Sequence, residues 1–264
     1  MNYYKLSNGI KVPALGIGTY KLNSVDTYEI IREALTLGYE LIDTSESFQN
    51  EEEIGRAISD SGIDRKKLFI STKITDINYN SSLVLESLKR LNLDYIDLLT
   101  LDVSLGNYFE GYKMLEEAYN SGLIKSIGIF NFTDKELDEI LKVASTKPHI
   151  AQIELHPLCQ QKELRRKLLK EDIQVMSLYP LAHGDERLLN SSMLNEMSDT
   201  YYRTNAQLLI KWQLEHKFIC MPGAHHKQFL EANLNSFNYN LKETDLKKLD
   251  DLDENLRLLI NENS

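Results

Sequence analysis

Two short apolar runs each end on a charge. Leu41-Ile42-Asp43-Thr44 leads into Asp43, and Leu68-Phe69-Ile70-Ser71-Thr72-Lys73 ends on Lys73. A carboxylate and an ammonium at the ends of buried strands suit a buried ion pair, the arrangement that tunes a neighbouring acid or base. Asp102, Asn131 and Gln152 fall at comparable places, at or just past the ends of other apolar runs. Five polar side chains on one rim point to a pocket that hydrogen-bonds a ligand. An ammonium beside a carboxylate also eases proton transfer by any hydroxyl placed next to it.

Strands are expected at residues 14–18, 41–43, 68–73, 96–101, 126–129, 150–154, 174–177 and 218–221. Several are nearly continuous apolar runs, the pattern of parallel strands covered on both faces. Helical patterns lie between them. The one at 25–37 ends at Gly38 and that at 114–119 ends near Gly122, both suited to a C-cap. Residues 134–141 follow Thr133, a fair N-cap, and 80–91 place Leu83, Leu85, Leu88 and Leu91 close to helical spacing. Further helices are expected at 201–215 and 243–253, with residues 181–200 as the longest irregular connection. The alternation points to a (β/α)8 barrel, with a doubly wound open sheet as the competitor. Residues 3–5 and 10–12 flank Asn8-Gly9 and read as a hairpin.

The 264 residues form one domain in this reading, with 42% apolar and 27% charged residues. No apolar run approaches the roughly 20 residues that span a bilayer. The N-terminus lacks the basic start and apolar stretch of a signal peptide, so the expected location is the cytoplasm. A net charge of -10 argues against nucleic acid and anionic membrane as partners. Cys159 and Cys220 are flanked by no metal-ligand spacing and read as reduced thiols. No Gly-rich phosphate loop with Lys-Ser/Thr and no Gly-x-Ser-x-Gly elbow is present. A monomer acting on a small-molecule ligand is the expectation.

From Leu6-Ser7-Asn8-Gly9 to about Leu252 the chain resembles the aldo-keto reductases, in particular their short bacterial-type members. The resemblance implies a (β/α)8 barrel with an N-terminal hairpin across its bottom, and NAD(P)H-dependent reduction of aldehydes and ketones. That family works with an Asp, a Tyr, a Lys and a His. Asp43 and Lys73 match. The Tyr position, in Asp43-Thr44-Ser45-Glu46-Ser47-Phe48-Gln49-Asn50-Glu51, is Phe48, and the His position is Asp102. Phe48 has no proton to give, and loss of positioned acid-base help costs a factor of about 10² to 10⁴. A carboxylate at 102 opposes negative charge developing on a carbonyl oxygen unless it is protonated. The favoured reading makes Asp102 a second anionic partner of Lys73, in a fixed charge cluster. Tyr20, Tyr79 and Tyr108 read as packing residues, and His156 as a structural histidine.

For the cofactor, the resemblance implies NADP or NAD. Asn131 and Gln152 match the side chains that hold the nicotinamide amide. Thr19 and Tyr20 follow the first strand, Asn233 matches the adenine-side asparagine, and Leu178 stands where the family has a ring-stacking tyrosine. Phe130 replaces a serine. The phosphate-end motif is Met221-Pro222-Gly223-Ala224, and Phe229 stands where an arginine clamps the 2′-phosphate. His225, His226 and Lys227 read as a solvated turn before a helix. Three functions remain open on these residues: a diverged member with weak or no standard reductase activity, keeping a nucleotide or small-ligand pocket; an active oxidoreductase whose proton comes from Asp102 or from water beside Lys73, acting on activated carbonyls or quinones; and a non-catalytic interaction protein.

Overall fold

The computed structural model describes residues 2–258. It opens with an antiparallel pair, β1 (Tyr3–Lys5) and β2 (Lys11–Pro13), turning at Asn8-Gly9. Gly9 takes φ 88°, a conformation that suits glycine, and the Asn8 side chain accepts from the Ile10 amide. Eight parallel strands follow in sequential order. They are β3 (Ile17–Gly18), β4 (Leu41–Asp43), β5 (Phe69–Ile74), β6 (Leu98–Asp102), β7 (Ile127–Phe130), β8 (Ile150–Glu154), β9 (Gln174–Leu178) and β10 (Ile219–Cys220). Hydrogen bonds from Gly16 N to Cys220 O, Cys220 N to Ala14 O and Gly18 N to Pro222 O join the first strand to the last and close the barrel. The open doubly wound sheet is thereby excluded.

The outer layer is α1 (Ser24–Leu37), α2 (Glu51–Ser61), α3 (Ser81–Leu91), α4 (Tyr108–Asn120), α5 (Asp134–Val143), α6 (Lys162–Lys170), α7 (Glu186–Leu189), α8 (Ser192–Tyr201), α9 (Asn205–Glu215), α10 (Lys227–Leu234) and α11 (Glu243–Asp250). The expected stops and starts work as read. Gly38 caps α1 in the left-handed region, and Thr133 forms a capping box with Glu136 at the start of α5. Two expectations need correction. Residues 181–200 are not irregular: they hold α7 and α8, the latter capped by Ser191 and anchored by buried Leu194 and Met197. The helix expected at 201–215 is two helices. Tyr202 turns left-handed at φ 53°, and the Thr204–Gln207 capping box starts α9 afresh.

The interior divides in two. Most buried apolar residues sit between strands and helices. A second cluster joins Leu6 and Val12 of the hairpin region to Leu41, Phe69, Leu98, Ile150 and Ile219, residues at the starts of strands. The hairpin therefore covers the N-terminal end of the barrel. The C-terminal strand ends are left as the open mouth, where barrels of this kind carry their chemistry. Among the described residues, no helix is long and apolar enough to cross a membrane.

Candidate active site

Asp43, the last residue of β4, is 5% exposed and is held by three donors. Lys73 Nζ donates to Oδ2 at 2.6 Å, while Ser71 Oγ at 2.7 Å and Gln152 Nε2 at 3.0 Å donate to Oδ1. The strand register explains this convergence. Asp43 pairs with Ser71 on β5, and Lys73 lies two residues further along the same strand face. Lys73 Nζ also donates to the Thr44 carbonyl at 2.9 Å. A buried pair so fully hydrogen-bonded is rigid, and its ammonium is fixed in direction.

Phe48 faces that ammonium. It ends a short 3-10 turn, Glu46–Phe48, whose start is capped by the Ser45 hydroxyl. Its ring centroid lies 5.9 Å from Lys73 Nζ and 5.2 Å from the Tyr20 ring. Lys73 thus meets an aromatic face, a weak attraction with no transferable proton.

Asp102 ends β6. Ser104 donates to its Oδ1 twice, through the backbone N–H at 3.1 Å and through Oγ at 2.7 Å. Asn131, just past β7 and left-handed at φ 55°, donates through Nδ2 to Ser104 Oγ at 2.7 Å. Burial pushes the Asp102 carboxyl above the usual carboxylate range; hydrogen bonds from Ser104 and Asn131 oppose the rise and the Glu136 charge adds to it. Lys73 pairs with Asp43 and not with Asp102, so the charge cluster anticipated around Lys73 does not form. Ser104, two residues beyond the strand on a tight turn, takes the carboxylate instead.

A cavity of about 590 Å³ opens at this mouth. Thr19, Tyr20, Asp43, Phe48, Lys73, Asp102, Phe130 and Leu178 line it, together with Tyr179 and Gly223. The remaining expected site residues lie elsewhere. Gln152 is fully buried beneath, its Oε1 without a partner. Asn131 belongs to the Asp102 network, and Asn233 is buried in α10 against the Tyr39 hydroxyl. Thr19 itself is fully buried, its hydroxyl donating to the Asp43 carbonyl at 3.2 Å.

Neither of the other rim tyrosines takes Phe48's place. Tyr79 reaches the Asp102 carbonyl at 3.4 Å and is pushed up to about 12, mainly by burial. Tyr108 donates to Glu139. His156 is fully buried with Nε2 2.9 Å from Glu154 Oε1, in keeping with a structural role.

Sequence reading missed His183. It lines the cavity from the β9–α7 connection, its ring 4.7 Å from Tyr179 and 6.4 Å from Tyr20. The connection leaves the C-terminal end of β9, at the barrel mouth. Which of its residues faces inward depends on the left-handed turns at Tyr179, Ala182 and His183, and residue type does not announce these.

A sequence model of the aldo/keto reductase family matches residues 14–254. The chain is 33% identical to methylglyoxal reductase DkgA of Escherichia coli O157:H7, over 96% of this chain and 94% of that protein. It is 34% identical to the glyoxal reductase of Bacillus subtilis strain 168, over the same shares. Among solved structures, MGS-M4, an aldo-keto reductase enzyme from a Medee basin deep-sea metagenome library, superposes with a TM-score of 0.94 at 30% identity, covering 99% of this chain and 98% of that one. The Brucella melitensis aldo/keto reductase gives 0.90 at 31% identity, covering 96% and 99%. A closed barrel with an Asp–Lys pair at its mouth, matched along nearly its whole length by such relatives, places this chain in the aldo/keto reductase family.

Proposed function

We propose that this chain binds a nicotinamide dinucleotide and a small organic ligand at the barrel mouth, and reduces ordinary carbonyls weakly or not at all. The observation that carries this reading is the Lys73 ammonium set against the Phe48 ring, 5.9 Å away, a side chain that carries no hydroxyl. Asp43 and Lys73 keep the geometry that would assist a proton donor; the donor itself is missing. Loss of that help lowers reduction by a factor of about 10² to 10⁴.

The residues present fit the nicotinamide end of the cofactor. Gln152 Oε1 is a buried acceptor without a partner; it lies beneath the cavity wall and suits an amide N–H only of a group that reaches below that lining. Leu178, Tyr179 and Met221 give an apolar wall, and a Cβ built on Gly223 would meet nothing closer than Gly18 O at 4.0 Å, which leaves the backbone there open to approach. The 2′-phosphate end fits less well. Gly223 carries no side chain and Phe229 is 47% exposed, so neither supplies the cationic clamp, and NAD is expected to bind about as well as NADP. When bound, the reduced nicotinamide supplies hydride. The chain's own residues orient the ligand: Phe48, Phe130, Tyr20 and Asp102 line the cavity.

A second reading makes Asp102 the proton donor to an activated carbonyl. Burial raises its carboxyl, which favours the protonated form, and relatives named for methylglyoxal and glyoxal suggest dicarbonyls. Turnover of methylglyoxal that vanishes in both Lys73→Ala and Asp102→Asn supports this reading; turnover intact in both removes it. In either case we take the chain to work as a cytoplasmic monomer without nucleic-acid partners, as its net charge of -10 favours.

Fluorescence titration with NADPH and NADH tests the main reading. Binding of either supports it, and no binding of either at millimolar concentration removes it.

A further inference from the structure

We propose that the cavity is built to take a small organic cation, and that its substrate class is a protonated imine rather than a neutral carbonyl. This rests on the reading that the mouth binds a nicotinamide dinucleotide. It starts from the electrostatics of Asp102, which is 7% exposed and lines the cavity. Its two hydrogen bonds from Ser104 both fall on Oδ1. The charge that acts on it most from outside is another carboxylate, Glu136 on α5. Lys73, on the adjacent strand, is tied to Asp43 and the Thr44 carbonyl. Asn131 and Tyr79, the other polar groups against it, are neutral. Lys21, His183 and His225 line the same cavity but are exposed and are not among the charges that shift Asp102. A buried carboxyl without a cation is costly, and a cationic ligand supplies one.

The walls agree. Phe48, Tyr20, Phe130 and Tyr179 line the cavity with aromatic rings, whose faces attract a desolvated cation. The two replacements that spoil carbonyl reduction also suit a C=N⁺ bond. A carbonyl needs a proton on oxygen as hydride reaches carbon, and Phe48 has none to give. A protonated imine already carries that proton on nitrogen. Hydride adds to the imine carbon with its electron pair, and the C=N π pair becomes the nitrogen lone pair. The product is a neutral amine, which takes a proton from water on release; the reductant is the dinucleotide, left oxidised. A carboxylate at 102 disfavours an alkoxide but favours the imine's protonated form, so the reactive cation is populated where the free imine would be neutral.

The direct test is titration calorimetry with cyclohexylammonium chloride against cyclohexanol, in the presence of NADP⁺. The expected result is roughly tenfold or greater preference for the ammonium, the scale of a charge-assisted hydrogen bond. Its affinity should strengthen as pH rises through the titration of Asp102, because the ionised carboxylate is the partner. Asp102→Asn should lower ammonium affinity to that of the alcohol. Equal affinities in the wild type, no binding of either probe, or a preference that survives Asp102→Asn would each overturn the inference. If Asp102→Asn fails to fold, the wild-type pH series decides, since a pH-independent affinity overturns it as well. Turnover with NADPH should then favour 1-pyrroline over methylglyoxal. Failure of NADPH and NADH to bind removes the function proposed above; cofactor binding without ammonium preference removes only this inference.

Discussion

At the scale of single residues, the buried Asp43–Lys73 pair is the fixed point of the site. Its distance of 2.6 Å and near-complete burial mean that removing one partner strands a charge. Asp43→Asn should destabilise the fold by about 3–5 kcal/mol, and Asp43→Asn with Lys73→Met should recover most of that loss. Urea denaturation of the two variants checks it, and equal losses would show that the pair's charge is not what matters. Asp102 makes a pH prediction of opposite character. Its carboxyl is raised in the fold by burial, so the folded state holds more proton than the unfolded one above the ordinary value of about 3.9. Stability should therefore fall as pH rises from that value through the raised one, and the fall should be smaller in Asp102→Asn, where Asp97, also raised by burial, keeps its share. A pH series of denaturation curves reads both. Asp43, Lys73 and Asp102 were legible in the sequence as positions at strand ends, and Phe48 through the family motif around it. The partner of Asp102 was not, because Ser104 reaches it through a tight turn whose backbone direction residue types leave undetermined.

At the scale of elements, what was readable were punctuation marks with a mechanism. Gly38 and Thr133 stop and start helices by satisfying backbone groups, and each does so in the structure. Caps at two other helix starts went unread. Ser191 and Thr204 both cap helices, and only the left-handed turn at Tyr202 tells that two helices meet rather than one long one. Close approach of elements also escaped the sequence. Gly55 on α2 lies so near α3 that an added Cβ would sit 2.3 Å from the Leu91 carbonyl oxygen. Gly55→Ala should cost about 1–3 kcal/mol through displacement of α2 from α3, measurable as a lowered denaturation midpoint. A neutral or stabilising effect would mean that the two helices separate freely.

At the scale of the whole molecule, barrel bottom and barrel mouth are separate structures with separate jobs. The hairpin region seals the bottom through Leu6 and Val12, while the cavity sits at the opposite strand ends. Leu6→Ala should therefore lower stability by about 2–5 kcal/mol and leave cofactor affinity unchanged, read by denaturation and fluorescence titration on the same sample. The barrel itself was legible because strand and helix patterns alternate along the chain, and family motifs run through it from end to end. The central claim is that the mouth keeps its cofactor place and lacks its proton donor. The measurement that tests it most directly is methylglyoxal reduction by the wild type and by Phe48→Tyr with Asp102→His, at cofactor concentrations shown by fluorescence to saturate both. We expect the double variant to exceed the wild type by a factor of about 10² to 10⁴. A wild type that binds the cofactor and turns over as fast as the variant would contradict the account.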